Sequence, residues 1–407
     1  MGGGIGQIGR LVDALRAGAR ADENVWASCY SNGMELSDSQ RDWLALSLVP
    51  GVGTTRFIRL LARFGTPGAV LRASEAALAE VAGEKLAQRI RQYKDAVDLE
   101  GQVRLMGRYD AHLVTMDDPA YPPHLAEIYS PPMVFFARGA LHEADQYCVA
   151  IVGTRNASSY GLHMAKKLAS ELAARGVTVA SGLAAGIDAA AHEGALEAGG
   201  RTIAVLGNGV DIVYPPENAE LMHRMVQHGA VISPFPMGTK PAKGHFPQRN
   251  PFISGLSLGT LVVEAPPGSG ALITARCAAE QGREVFALPG RVGEWNSKGP
   301  HALLREGAKL VESVEDILVE LDLPAAARQP VSESVPDAAP TPVETGPVPN
   351  VSEVEKDVLS VLNPDGCFVD EIALACRIPV SEALSSLTLL ELKGLVRQFS
   401  GKRFAPR

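Results

Sequence analysis

From Cys148 onward the chain repeats one unit: a short apolar run, a glycine-bearing loop, then a segment long enough for a helix. The apolar runs are Cys148–Val152, Val177–Ala180, Thr202–Leu206, Ala230–Ile232, Thr260–Val263, Glu284–Ala287 and Lys309–Val311. Helix-length segments such as Tyr160–Ala174, Asp188–Ala198 and Ala271–Gln281 lie between them. Strands separated by helices pair in parallel through right-handed crossovers, which predicts an α/β fold with a doubly wound, mostly parallel sheet. Ligands bind such sheets beyond the carboxyl ends of the strands, where the Gly-rich loops of this chain fall.

The remaining segments divide the chain further. Residues 1–38 are polar and Gly/Ala-rich and read as a disordered leader. Residues 39–108 read as helical, with Pro50-Gly51-Val52-Gly53 forming a hairpin between helices. This pattern offers backbone amides to DNA phosphates or serves as a helical interaction module. The α/β domain spans 109–323, and its first part, 110–139, is Pro-rich and expected to be irregular. Seven prolines in 324–350 mark a linker. Residues 351–407 predict three helices and a hairpin, the winged-helix pattern, with Ser381 as the cap of its third helix. That third helix, to Glu391, holds two acids and no base before Lys393, which favours partner binding over insertion into a DNA groove. Lys393, Arg397, Lys402, Arg403 and Arg407 leave weak electrostatic help open.

A formal charge of −8 requires any nucleic-acid site to be a local patch. One segment meets that requirement. Leu221 to Val263 contains no Asp or Glu, although 46 of the 407 residues are acidic. It carries Arg224, Lys240, Lys243 and Arg249, with Phe246 between the last two. Cations beside an aromatic suit a phosphate chain and its bases. Asn250-Pro251 reads as a helix cap and first residue, which leaves Phe246 in a loop. The five cysteines show no CxxC pairing and point to free thiols in a reducing cytoplasm, with zinc disfavoured. No apolar run approaches the length of a membrane span.

The other loops carry weaker chemistry. Gly153-Thr154-Arg155 follows a strand and opens a helix, so its amides and the Arg155 guanidinium suit a phosphate. The loop lacks GxGxxG, and no GK[ST] occurs anywhere in the chain. Gly182, in Ser181-Gly-Leu-Ala-Ala-Gly-Ile-Asp188, permits close backbone approach. Asp188 and His192 are spaced for a metal pair, but two ligands without a third favour a helix cap and a surface histidine. Gly207-Asn208-Gly209 is a lone GxG. Gly268-Ser269-Gly270 makes another strand-to-helix turn and a further possible contact.

Taken together, Gly153-Thr154-Arg155 with Ser158-Ser159-Tyr160-Gly161, Ser181–His192, Gly207–Asp211 with Tyr214-Pro215, Phe246-Pro247-Gln248-Arg249-Asn250 and Gly268–Ala275 resemble the DNA-processing protein A family (DprA, also called Smf). The terminal modules fit it too. The resemblance implies a cytoplasmic, non-catalytic protein that is built on an extended Rossmann sheet and dimerises through that domain. It implies binding and protection of single-stranded DNA, with loading of the RecA recombinase during natural transformation. It requires no cofactor or metal. It places DNA contacts on Gly153, Thr154, Arg155, Lys243, Phe246, Arg249 and Asn250, with Lys240, Gly182, Gly268, Ser269 and Gly270 as further candidates. Pro251 stands where many relatives carry a basic residue, which removes one possible phosphate contact.

Two other classes compete. Lysine-decarboxylase-like phosphoribohydrolases share a Gly-rich loop after a late strand, in the motif PGGxGTxxE. Here Pro267–Thr274 is followed by no Glu until Glu280. A transcription factor would rest on the winged helix alone, and sequence-selective duplex binding would support it.

Overall fold

The computed structural model describes residues 36–321, 323, 352–362, 367–376, 378–393, 395–399 and 403–406. Most of the leader, the linker 324–350, Cys29, the Ser400-Gly401 turn, Lys402 and Arg407 lie outside the described residues. The chain divides into two compact units, 1–332 and 333–407.

The first unit starts with helices α1 (Asp38–Leu48), α2 (Thr54–Phe64), α3 (Pro67–Arg72), α4 (Glu75–Ala82), α5 (Glu84–Arg91) and α6 (Leu99–Tyr109). Ser37 caps α1 in a reciprocal box with Gln40. Trp43 stacks on Phe57 at 5.1 Å inside this bundle, and its indole donates to Asp117 at 3.0 Å. The helices share one core with a face of the sheet, so they form no free-standing layer.

The sheet has nine strands: β1 (Ala111–Thr115), β2 (Val134–Gly139), β3 (Cys148–Val152), β4 (Thr178–Ser181), β5 (Thr202–Val205), β6 (Ala230–Ser233), β7 (Gly259–Val262), β8 (Glu284–Ala287) and β9 (Lys309–Leu310). Their order is β1-β2-β6-β5-β4-β3-β7-β8-β9. β3 to β9 are parallel. The first two strands correct the expectation that 110–139 is irregular. They pair antiparallel, Leu113 opposite Phe136, and β2 continues antiparallel onto β6. Prolines 119, 122, 123, 131 and 132 all lie in the connection, and the strands themselves are rich in Val, Phe, Leu and Thr.

Connecting helices are α7 (Ser159–Ala174), α8 (Ile187–Glu197), α9 (Ala219–His228), α10 (His245–Gly255), α11 (Gly270–Glu280), α12 (Lys298–Arg305) and α13 (Val314–Leu318). Period-two alternation sorts β3 cleanly: Val149 and Ile151 pack with Leu168 and Leu172 of α7, while Ala150 and Val152 face the other core. Gly194 lets α8 lie against α7, since a Cβ there would sit 2.2 Å from the Lys166 carbonyl. Among the described residues no single helix is long and apolar enough to cross a membrane.

The second unit holds α14 (Glu353–Val361), β10 (Cys367–Phe368), α15 (Val369–Cys376), α16 (Val380–Leu392), β11 (Val396–Phe399) and β12 (Arg403–Pro406), with sheet order β10-β12-β11. α16 begins at Val380, one residue before the expected cap, because Ala383 already donates to the Pro379 carbonyl. Lys393 is committed to Glu355 at 2.7 Å, which withdraws it from the basic residues expected beside the hairpin.

Candidate nucleic-acid interface

The strand order reverses between β4-β3 and β7-β8, which opens a crevice at their carboxyl ends. A cavity of about 300 Å³ occupies it. Its lining joins four segments: Gly153–Asn156 after β3, Ala184 and Asp188 around the start of α8, Phe246, Arg249 and Asn250 on α10, and Ser269–Ala271 at the start of α11.

Phe246 lies on α10, which starts at His245 and runs through Pro251. This corrects the reading of Asn250 as a cap. Pro247 falls in the first turn, where a missing N–H costs nothing, and Pro251 forfeits one interior bond. The Phe246 ring is half-buried against Tyr214, 5.8 Å away, and Gly207. A Cβ on Gly207 would come within 2.9 Å of the ring. The lone GxG therefore seats an aromatic. The Arg155 guanidinium also lies over this ring, 5.1 Å from its centroid, and Arg155 is exposed. Lys240 and Lys243 are exposed in the approach to α10 and do not line the cavity.

Arg249 and Asn250 behave differently from expectation. Arg249 is 4 % exposed, and its guanidinium donates to the carbonyls of Gly182 (2.9 Å) and Val205. Gly182 has no room for a Cβ beside that guanidinium, and its N–H donates to Asp188 at 3.1 Å. The backbone of Gly182 is thus spent inside the protein, which corrects its reading as a DNA contact. Burial pulls the Arg249 pKa down to about 10, with Asp188 opposing the shift, so it stays charged at neutral pH. Burial likewise raises Asp188. Asn250 donates to the Gly270 carbonyl at 3.1 Å and braces the start of α11.

The first loop is also partly committed. The Thr154 N–H donates to the Glu264 carbonyl at 2.7 Å, and its hydroxyl accepts from the Asn156 N–H. The start of α7 already has an anion. The Glu264 carboxylate accepts from the Ser158 N–H (2.9 Å) and hydroxyl (2.5 Å). Glu264 is the residue the sequence reading missed. It follows the apolar run Thr260–Val263 at the start of a Gly-rich loop, and nothing in its spacing ties it to Ser158. The open helix start in the crevice is that of α11, which Ser269 caps. A larger cavity of about 610 Å³ beyond Ser158 is lined by Glu264, Glu294 and Arg291, two carboxylates against one guanidinium, which disfavours phosphate there.

His192 is fully buried, correcting its reading as a surface histidine. The Thr202 hydroxyl donates to the Val179 carbonyl, so it accepts from His192 Nδ1–H at 2.6 Å. Among the described residues Nε2 has no partner. Burial, then Arg249, lowers the His192 pKa to about 3. The folded state therefore binds fewer protons than the unfolded one between about pH 6.5 and 3, and stability falls as pH drops through that window. The slope is about 1.4 kcal/mol per pH unit for one proton. Urea unfolding of His192→Asn should show a shallower acid loss than wild type; parallel curves would refute this assignment. Among the described residues no cluster of three or more His, Cys, Asp or Glu could hold a metal.

The sequence model of the DNA recombination-mediator protein A family matches residues 112–322. The chain belongs to that family, known as DprA or Smf. A DprA winged-helix domain matches 337–402. Protein Smf of Synechocystis sp. is 34 % identical over 91 % of this chain and 100 % of its own length. Protein Smf of Escherichia coli is 41 % identical over 71 % of this chain and 76 % of its own. The X-ray structure of DNA processing protein A from Streptococcus pneumoniae superposes with a TM-score of 0.64 at 33 % identity, covering 71 % of this chain and all of that one. The family's match covers the whole crevice from β3 to α11.

Proposed function

We propose that this DprA-family chain binds and protects single-stranded DNA in the crevice and helps load RecA onto it. The observation that carries this reading is the Arg155 guanidinium over the half-buried Phe246 ring, both lining a cavity that the start of α11 also lines. A base displaces the guanidinium from the ring and stacks, while Arg155, Lys240 and Lys243 turn to the phosphates. A duplex holds its bases in pairs and gains no such stack. Among the described residues Asp188 is the single carboxylate lining the cavity, and its bond to Gly182 favours a binding role over hydrolysis.

The test is fluorescence anisotropy with labelled oligo-dT and a matched duplex across a salt series. Lys243→Ala should weaken oligo-dT binding and shallow its salt slope by about 0.7, one phosphate contact on a single strand. No oligo-dT binding by wild type would sink the reading and revive a nucleotide enzyme. RecA loading rests on family membership. It predicts a shorter lag in RecA ATPase on strands coated with single-strand-binding protein, and an unchanged lag refutes it. A homodimer through the α/β domain would join two crevices and raise avidity, as sedimentation would show by a mass twice that of the chain. The divisions 39–108, 109–323, 324–350 and 351–407 predict first proteolytic cuts within 324–350.

A further inference from the structure

Residues Trp43 to Ser74 form a second stretch without Asp or Glu, in a chain of charge −8. It includes the Gly-rich turn and all of α2. Helix α2 is strongly two-faced. Phe57, Leu60 and Leu61 are buried, at 1, 0 and 1 % exposure. Arg56, Arg59 and Arg63, spaced i, i+3 and i+7, lie on one opposite, exposed stripe.

Helix α5 adds a fourth cation. Arg89 donates to the Pro50 carbonyl at 3.2 Å and Arg56 to the Gly51 carbonyl at 2.9 Å. The two guanidinium groups therefore converge on the same turn, each keeping further N–H groups for solvent. Gly51 has φ 98°, a conformation that favours glycine, and a Cβ there would meet both guanidinium groups at 3.4 and 3.8 Å.

Among the described residues none of Arg56, Arg59, Arg63 and Arg89 pairs with a carboxylate, whereas Arg72, Arg175, Arg201 and Arg283 do. Four clustered, unpaired arginines repel one another, and a polyanion relieves that repulsion. Phe64 beside them is half-buried with Arg63 over its ring at 5.6 Å, and Phe57 is buried. This face offers charge and forked donors, with no open ring for a base.

We propose that the exposed face of α2, with Arg89 of α5, is a second nucleic-acid surface that takes the sugar–phosphate backbone of duplex DNA. It differs from the crevice in its residues and its ligand form. The crevice requires an unpaired base, whereas this face reads spaced phosphates and accepts paired strands.

The experiment uses the full chain, a labelled blunt duplex and labelled oligo-dT in the same salt series. Wild type should bind the duplex at low salt. The Arg56→Gln/Arg59→Gln/Arg63→Gln protein should bind it at least ten-fold more weakly, with the salt slope reduced by roughly 2–3, one step per lost phosphate contact. Arg89→Gln alone should give a smaller loss in the same direction. Phe246→Ala should leave duplex binding unchanged while weakening oligo-dT, which separates this surface from the crevice. The proposal is overturned by equal duplex affinity in wild type and the triple variant. Capture of poly-glutamate without affinity for duplex overturns it as well, because the face would then serve an acidic protein.

Discussion

Arg249→Ala will melt far below wild type, whereas Arg155→Ala will melt at the wild-type temperature. Both arginines line one crevice, but their guanidinium groups do different work. Arg249 is buried, fills the space left by Gly182 and supplies donors to the Gly182 and Val205 carbonyls. Its removal strips those acceptors and leaves Asp188 without the charge that opposes its desolvation. Breaking such a buried arrangement costs about 3–5 kcal/mol. For a unit of this size that is a fall in Tm on the order of 10 °C. Arg155 is exposed, and its guanidinium lies over an aromatic ring. Thermal unfolding of the two proteins decides the matter. Equal melting temperatures would return Arg249 to the surface role its sequence context suggested.

The largest loss of DNA affinity is expected at Phe246. Removing the ring deletes a base stack of about 1–3 kcal/mol, so oligo-dT binding should fall about ten-fold or more. Arg155→Ala should cost a comparable factor through its phosphate contact. The double variant should lose less than the product of the two, because the free protein already stacks one group on the other. An additive double variant would show that the two side chains act independently. Wild-type affinity in Phe246→Ala would move the binding site elsewhere.

The parallel strands β3 to β9 were legible because their apolar runs are short and punctuated by glycine, and those of β3 to β7 are buried on both faces. The two antiparallel strands were not, because five prolines between them dominate the composition of 110–139. Phe246 and Arg155 could be picked out as types and positions, since an acid-free stretch and a strand-to-helix loop are local features. Their contact, across 91 residues of chain, is a property of the crossover and has no local mark. The same holds for Arg249. A cation between Gln248 and Asn250 looks free until the strand order puts Gly182 and Val205 over it. The burial of His192 was hidden in a helix of alanines, where periodicity cannot say which side faces the sheet.

The carboxylate of Glu264 at the start of α7 has one further meaning. A loop that waited for a visiting phosphate to fill its helix end would be soft when empty and would stiffen only on contact. Here the chain carries its own plug, so the loop bearing Arg155 is set in place before any strand arrives. In the proposed binding the crevice meets DNA as a finished mould, and little ordering of the loop is subtracted from the affinity.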